Sequence, residues 1–223
     1  MCGRFYIDDE LKEELDQLLR ELDSKSKEPQ KSDTKSDIKR QQAICSGEVY
    51  PTNEAVILTK DIKHAEYIKW GYPSWQTNQV IFNARSETVL QKRMFERGFL
   101  ENRCIIPASG FFEWDRKKKK YFFWQKGERV MYLGGIFDVF QGKRYFTILT
   151  REPNQVMRPI HDRMPLIISH EKADVWLHSF QDARKMLYET QPEMEAELAK
   201  KEPVEYEQIH IFNTFDQYNR REV

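Results

Sequence analysis

From Ala55 to Thr150 the chain repeats one pattern: a short run dense in β-branched and aromatic residues, then a turn marked by glycine, proline or charge. The runs are Ala55 to Thr59, Glu66 to Trp70, Val80 to Ala84, Cys104 to Ile106, Tyr121 to Trp124, Val130 to Phe140 and Tyr145 to Thr150. Strands this short have little stability of their own and must pair with several neighbours over a shared apolar face. Helical spacing interrupts them at about Ser86 to Arg97, Asn154 to Ile160, Glu171 to Leu177 and Asp182 to Glu189. Together these features predict an α+β fold with a β-rich, curved or barrel-like central sheet and peripheral helices.

The N-terminal part adds a strand candidate at Arg4 to Ile7 and then a helix capped by Asp8 or Asp9. Its Leu11, Leu15, Leu18, Leu19 and Leu22 share one face, which is expected to be buried. From Ser24 to Gln42 the sequence changes to Lys, Ser, Asp, Gln and Glu, with Pro29 and one large apolar residue, Ile38. This reads as a charged, mobile insertion at about 24–42 within a single domain spanning residues 1–223. Between two aromatic strands the run Lys117 to Lys120 is expected at a solvated hairpin tip, with phosphate binding as the alternative.

Lys plus Arg and Asp plus Glu both total 36, so net charge supplies no general attraction to nucleic acid or anionic membranes. Any nucleic-acid site must be local. Cys2, Cys45 and Cys104 make neither an even disulfide framework nor a zinc pattern, and His64, His161, His170, His178 and His210 are dispersed. The expectation is therefore no metal and no cofactor, in a reducing, cytoplasmic setting. No apolar run is long enough to span a bilayer, and the start, with Asp8, Asp9 and Glu10, does not resemble a signal peptide.

Several polar residues stand where packing does not explain them. If Met1 is removed, Cys2 carries an α-amine of pKa about 8 beside a thiol of about 8.5. Such a 1,2-aminothiol condenses with an aldehyde to an imine, which the tethered thiol closes to a thiazolidine. The competing reading makes Cys2 a small apolar residue at the start of a strand. Asn83 and Arg85 end a strand and can present an amide and a guanidinium to a ligand, while Ser86 is expected to cap the following helix. Glu113 lies among Phe111, Phe112 and Trp114, where desolvation raises a carboxyl pKa, unless it faces outward on an alternating strand. His161 precedes Asp162 and Arg163 at a helix-to-strand turn and can be a proton carrier or a structural imidazole.

The ordered set of these stretches resembles the SOS-response-associated peptidase (SRAP) family. It comprises Met1-Cys2-Gly3-Arg4, Tyr50-Pro51-Thr52, Trp70-Gly71 with Pro73-Ser74-Trp75, Asn83-Ala84-Arg85 with Glu87-Thr88, Arg103 to Ala108, Gly110 to Trp114, Thr150 with Glu152-Pro153-Asn154, and Ile160 to Pro165. The resemblance implies that unmasked Cys2 attacks the ring-opened aldehyde of an abasic site in single-stranded DNA and forms a thiazolidine crosslink. It gives Asn83 a positioning role, Glu113 proton transfer in imine formation, and His161 ring opening or proton transfer, with the division between the last two left open. DNA placement falls to Arg4, Arg85 and Arg163 on phosphates, to Trp70 and Trp75 as aromatic wedges or core residues, and to Pro51 and Thr52 in the channel floor. The implied partner is abasic single-stranded DNA, met by a monomer in the cytoplasm, nucleoid-associated if bacterial. Two alternatives stand beside this one: a thiol peptidase or autopeptidase using Cys2 and His161, and a non-catalytic single-strand binding module. A Met1 left in place would block the amine.

Overall fold

A computed structural model describes residues 2–25, 46–60, 66–74 and 79–199. Most of the expected insertion, together with Trp75 and Met1, lies outside the described residues; Ser24 and Lys25 belong to the first helix. Strands β1 (Phe5–Ile7), β2 (Gly47–Val49), β3 (Glu54–Thr59), β4 (Glu66–Trp70), β5 (Tyr72–Pro73), β6 (Val80–Ile81), β7 (Asn83–Arg85) and β8 (Arg103–Ala108) occupy the first half. They are followed by β9 (Gly110–Trp114), β10 (Lys120–Gln125), β11 (Met131–Phe140), β12 (Lys143–Arg151), β13 (Met164–Pro165), β14 (Ile167–Ile168) and β15 (Met194–Leu198). The helices are α1 (Asp9–Lys25), α2 (Arg93–Glu101), α3 (Ala173–His178) and α4 (Phe180–Met186).

The barrel expectation is met in closed form. Strand β12 pairs with β4, β4 with β3, β3 with β8, β8 with β11, and β11 returns to β12. Five strands thus leave no open edge within the ring. The interior is filled by residues such as Ile57, Trp70, Ile106, Leu133, Phe146 and Ile148, all wholly or almost wholly buried. A second apolar cluster, with Phe99, Ile105, Ile136, Leu149 and Trp176, packs α2 and α3 against the outside of the ring. No helix among the described residues is long and apolar enough to cross a membrane.

A smaller five-stranded sheet, in the order β15-β10-β9-β1-β2, carries the N-terminus. The chain passes from barrel to sheet at Ser109, whose N–H donates to Tyr6 O and whose hydroxyl accepts from the Asp8 N–H. Asp8 is also the cap of α1, its Oδ1 accepting from the Leu11 N–H at 2.7 Å. Helix α1 then buries Leu11 and Leu15, as its spacing predicts. At Gly110 the crossing is so close that an added Cβ would lie 2.4 Å from the Phe122 ring and 2.5 Å from the Phe123 carbonyl oxygen. Because one of those atoms is backbone, Gly110→Ala is expected to cost about 1–3 kcal/mol, read as a lower denaturation midpoint.

Two expected helices differ. Residues 155–160 form hydrogen-bonded turns instead of a continuous helix, with Arg158 N–H bonded to Asn154 O and His161 N–H to Met157 O. Pro159 has no N–H to continue the ladder. The Ser86 to Arg97 stretch splits into a short 3-10 turn, Ser86–Thr88, and α2. Ser86 is not the cap there: Arg85 is, in extended backbone, and the buried Ser86 hydroxyl has no hydrogen-bond partner among the described residues.

Candidate active site

Four residues from distant parts of the sequence meet where the small sheet adjoins the barrel. Cys2 precedes β1, and the β1–β9 pairing places Phe5 opposite Phe111, with the Phe112 N–H donating to Arg4 O at 2.9 Å. Carried back along β1, that register brings Cys2 and Gly3 beside Glu113. On the other side β7 lies parallel to β12, Asn83 opposite Ile148. Asn83 Nδ2 donates to the Cys2 carbonyl oxygen at 2.8 Å, while its Oδ1 is buried with no hydrogen-bond partner among the described residues. His161, after the 155–160 turns, brings Nε2 to 3.8 Å from Glu113 Oε2. An open cleft of about 770 Å³ runs from His161 between the 115–116 and 152–162 segments to the surface.

The electrostatics follow from burial. Cys2 has no exposed surface, and desolvation pushes its thiol well above the ordinary range, reinforced by the Glu113 carboxylate. Glu113, only 4% exposed, is likewise raised by burial, with the His161 imidazole acting in the opposite direction. The thiol is therefore protonated at neutral pH, and the carboxyl keeps its proton to a higher pH than an ordinary glutamate. The Arg163 N–H donates to His161 Nδ1 at 3.1 Å, a pattern that puts the imidazole proton on Nε2, facing Glu113. Asp162 Oδ1 is also 3.1 Å from Nδ1.

Arg163 itself is an internal tie. Its guanidinium makes two bonds to Glu87, at 2.8 and 2.9 Å, and a third to Thr150 O at 2.6 Å, with 12% of the side chain exposed. A phosphate at Arg163 would compete with Glu87 for the guanidinium, which here joins the turn after β7, and β12, to the His161 turn. Burial alone would raise the Glu87 pKa, but hydrogen bonding and charge from Arg163 bring it below the usual range. Glu87→Gln removes the charge pairing and is expected to loosen the His161 turn, measured as a lower denaturation midpoint.

Trp70, expected as an aromatic wedge or a core residue, is core. Its ring is wholly buried, packed between Phe5, Phe82 and Phe146 at centroid distances of 5.2, 6.0 and 6.1 Å, and it has no face to offer a base. It supports the site from beneath: Nε1 donates to Phe82 O at 2.8 Å, one residue before Asn83, and its carbonyl accepts from the Thr52 N–H. Trp75 lies outside the described residues. Thr52 is exposed at φ 80°, a left-handed conformation that strains a β-branched residue, and Pro51 beside it is half-buried.

Of the arginines, Arg85 is exposed at the end of β7. Arg4 lies between two aromatic faces, 4.2 Å from the Tyr50 centroid and 4.6 Å from Trp114, and pairs with Glu48 at 2.9 Å. Trp114, Arg116 and Arg158 line the cleft and were not anticipated as site residues. For Trp114 the signal was available in strand alternation: if Glu113 faces in, Trp114 faces out.

Crystal structures with the same architecture define the class as a mixed α/β barrel protein. One is a protein from Bacteroides thetaiotaomicron, at TM-score 0.68 and 21% identity over 90% of this chain and 93% of that one. Another, from Bordetella bronchiseptica, has TM-score 0.67 and 18% identity over 89% and 100%. The model of the SOS response associated peptidase (SRAP) family matches residues 1–207, and the chain belongs to that family. Its relatives include the "Abasic site processing protein" YoaM of Bacillus subtilis, 36% identical over 50% of this chain and 55% of that protein. YMR114C of Saccharomyces cerevisiae, with the same description, is 29% identical over 79% and 55%, and YedK of Escherichia coli is 31% identical over 58% and 63%. The chain thus spans little more than half the length of these curated relatives.

Proposed function

We propose that this protein processes abasic sites in single-stranded DNA by forming a covalent thiazolidine through Cys2 once Met1 has been removed. The reading is carried by one observation: Asn83 holds the Cys2 backbone at 2.8 Å in the same buried corner where His161 faces Glu113. The names of the relatives point to the same lesion.

Each step has a residue suited to it. Opening of the sugar hemiacetal moves a proton from its hydroxyl to the ring oxygen, which His161 can relay because its two ring nitrogens lie near Glu113 and Asp162. The neutral α-amine of Cys2 adds to the aldehyde carbon to give a carbinolamine, and Glu113 protonates the departing hydroxyl, so that water leaves and an imine forms. The Cys2 S–H then adds across C=N: sulfur bonds to carbon, and the proton ends on nitrogen. A thiol held protonated by burial suits this last step, since it arrives with the proton that the ring nitrogen needs. Asn83 Oδ1 is an acceptor that the amine can use. Arg85 and the sandwiched Arg4 are the phosphate contacts this reading favours, with Pro51 and Thr52 beside the DNA path.

A cysteine peptidase would pair its thiolate with the imidazole. Here the thiol is driven toward its neutral form and His161 faces Glu113, which favours the aminothiol reading. The experiment is incubation of processed protein with an oligonucleotide carrying one abasic site, followed by a denaturing gel. A shifted, heat-resistant band is the expected result. Its absence would sink covalent capture, and noncovalent binding without a band would leave only a single-strand binding module.

A further inference from the structure

The Lys117 to Lys120 run is not one patch. Lys120 turns back onto the sheet, its ammonium 3.9 Å from the Phe112 ring centroid and paired with Glu48. Arg116, Lys117, Lys118 and Lys119 instead form the tip of the β9–β10 hairpin, fully exposed, and among the described residues none of these four side chains carries an ion pair. The tip is a built turn. Asp115 Oδ1 accepts from the N–H groups of Lys117 at 2.8 Å and Lys119 at 2.9 Å, Lys118 takes φ 61°, and the Lys118 N–H returns to Asp115 O at 2.9 Å.

Asp115 and Arg116 also form one wall of the cleft that ends at His161, and the exposed Arg158 stands in the lining with them. Asp115 shares its carboxylate with the turn, which leaves Glu152 and Asp162 as the other acidic groups in that lining. In a chain whose charges cancel overall, Arg116 and Arg158 line the cleft, and Lys117, Lys118 and Lys119 follow Arg116 at the hairpin tip. Strand β9 ties them rigidly to the chemistry, since Glu113 is only two residues before Asp115.

We propose that the hairpin tip Arg116 to Lys119, with Arg158, is a second DNA-backbone site that grips the phosphates of the strand leaving the cleft. This rests on the abasic-site reading and adds to it a local, sequence-independent electrostatic grip. Phosphate contacts by exposed lysines release counterions, so each is worth roughly 0.7 in the slope of log K against log salt on a single strand.

The test compares unmodified protein with the triple variant Lys117→Gln, Lys118→Gln, Lys119→Gln, using an undamaged oligothymidine. We expect a slope shallower by about 2 and weaker binding at low salt. A control of equal charge change, Arg93→Gln, Arg97→Gln and Lys185→Gln on the exposed surfaces of α2 and α4, should leave the slope unchanged. An unaltered slope in the tip variant, or an equal change in the control, overturns the proposal. Crosslinking of the unmodified protein to an abasic oligonucleotide at saturating DNA is read separately. Were the unmodified protein to form no crosslink while the tip still set the slope, covalent capture would fail and the backbone site would stand.

Discussion

Processed protein carrying Cys2→Ser is expected to give an imine with an abasic site that borohydride can trap, but no heat-resistant product without it. The amine at that position is unchanged, so condensation proceeds. A hydroxyl is a far poorer nucleophile than a thiol toward the imine carbon, and the ring that makes the product durable does not persist. A protein with any residue left ahead of Cys2 should give no thiazolidine, because the nitrogen beside its thiol is then an amide. These two variants separate the roles of nitrogen and sulfur. A peptidase that used only the thiol would instead lose everything with serine and would form no trappable imine. Cys2 is wholly buried, so a small polar replacement is accommodated in volume, and a thermal melt checks that the fold is retained.

Replacing Glu113 by glutamine is expected to slow imine formation by roughly 10²- to 10⁴-fold, the usual contribution of a positioned proton carrier. The pH profile carries the sharper information. For the unaltered protein the rate should pass through a maximum with pH, because it needs both a neutral Cys2 amine and a protonated Glu113, whose pKa burial raises. Glu113→Gln should abolish the falling limb. Stability moves as well. A carboxyl raised above its ordinary value of 4.5 binds more proton in the folded than in the unfolded state. The protein therefore loses stability as pH climbs from 4.5 through the raised pKa, and the glutamine variant should lack that decline in a denaturant titration series. A falling limb that survived in the variant would move the acid role to His161. Since reversal of the crosslink passes through the same imine, its rate should drop in parallel.

Much of this architecture is legible in the residues themselves. The alternating aromatic runs locate most strands of the barrel, and the leucine spacing locates α1. Closure of the ring depends on β12 pairing with both β4 and β11, a long-range choice that no local pattern encodes. Strand β15 was open to reading, because Met194-Glu195-Ala196-Glu197-Leu198 alternates strictly, but its brevity hides it among helical stretches. The Asn154 to Ile160 turn carries helix-forming residues, and Pro159 overrides them.

At the candidate site, the grouping of Cys2, Asn83, Glu113 and His161 follows from strand order and was reached through motif resemblance, not spacing. Trp70 stays open between wedge and core in the sequence, since an aromatic next to a glycine suits either, and only the surrounding Phe5, Phe82 and Phe146 decide. The Arg163–Glu87 pair is not legible in the sequence, because the two residues lie 76 positions apart.

The position of β1 has a mechanical meaning. This strand is hydrogen-bonded on both sides, to β2 and to β9, immediately after Cys2. A DNA strand bonded to Cys2 and pulled along the β1 axis would load those bonds in shear, all together, instead of peeling them one at a time from an edge. A tether fixed there would be hard to extract by force, and releasing it would call for chemistry or for digestion of the protein.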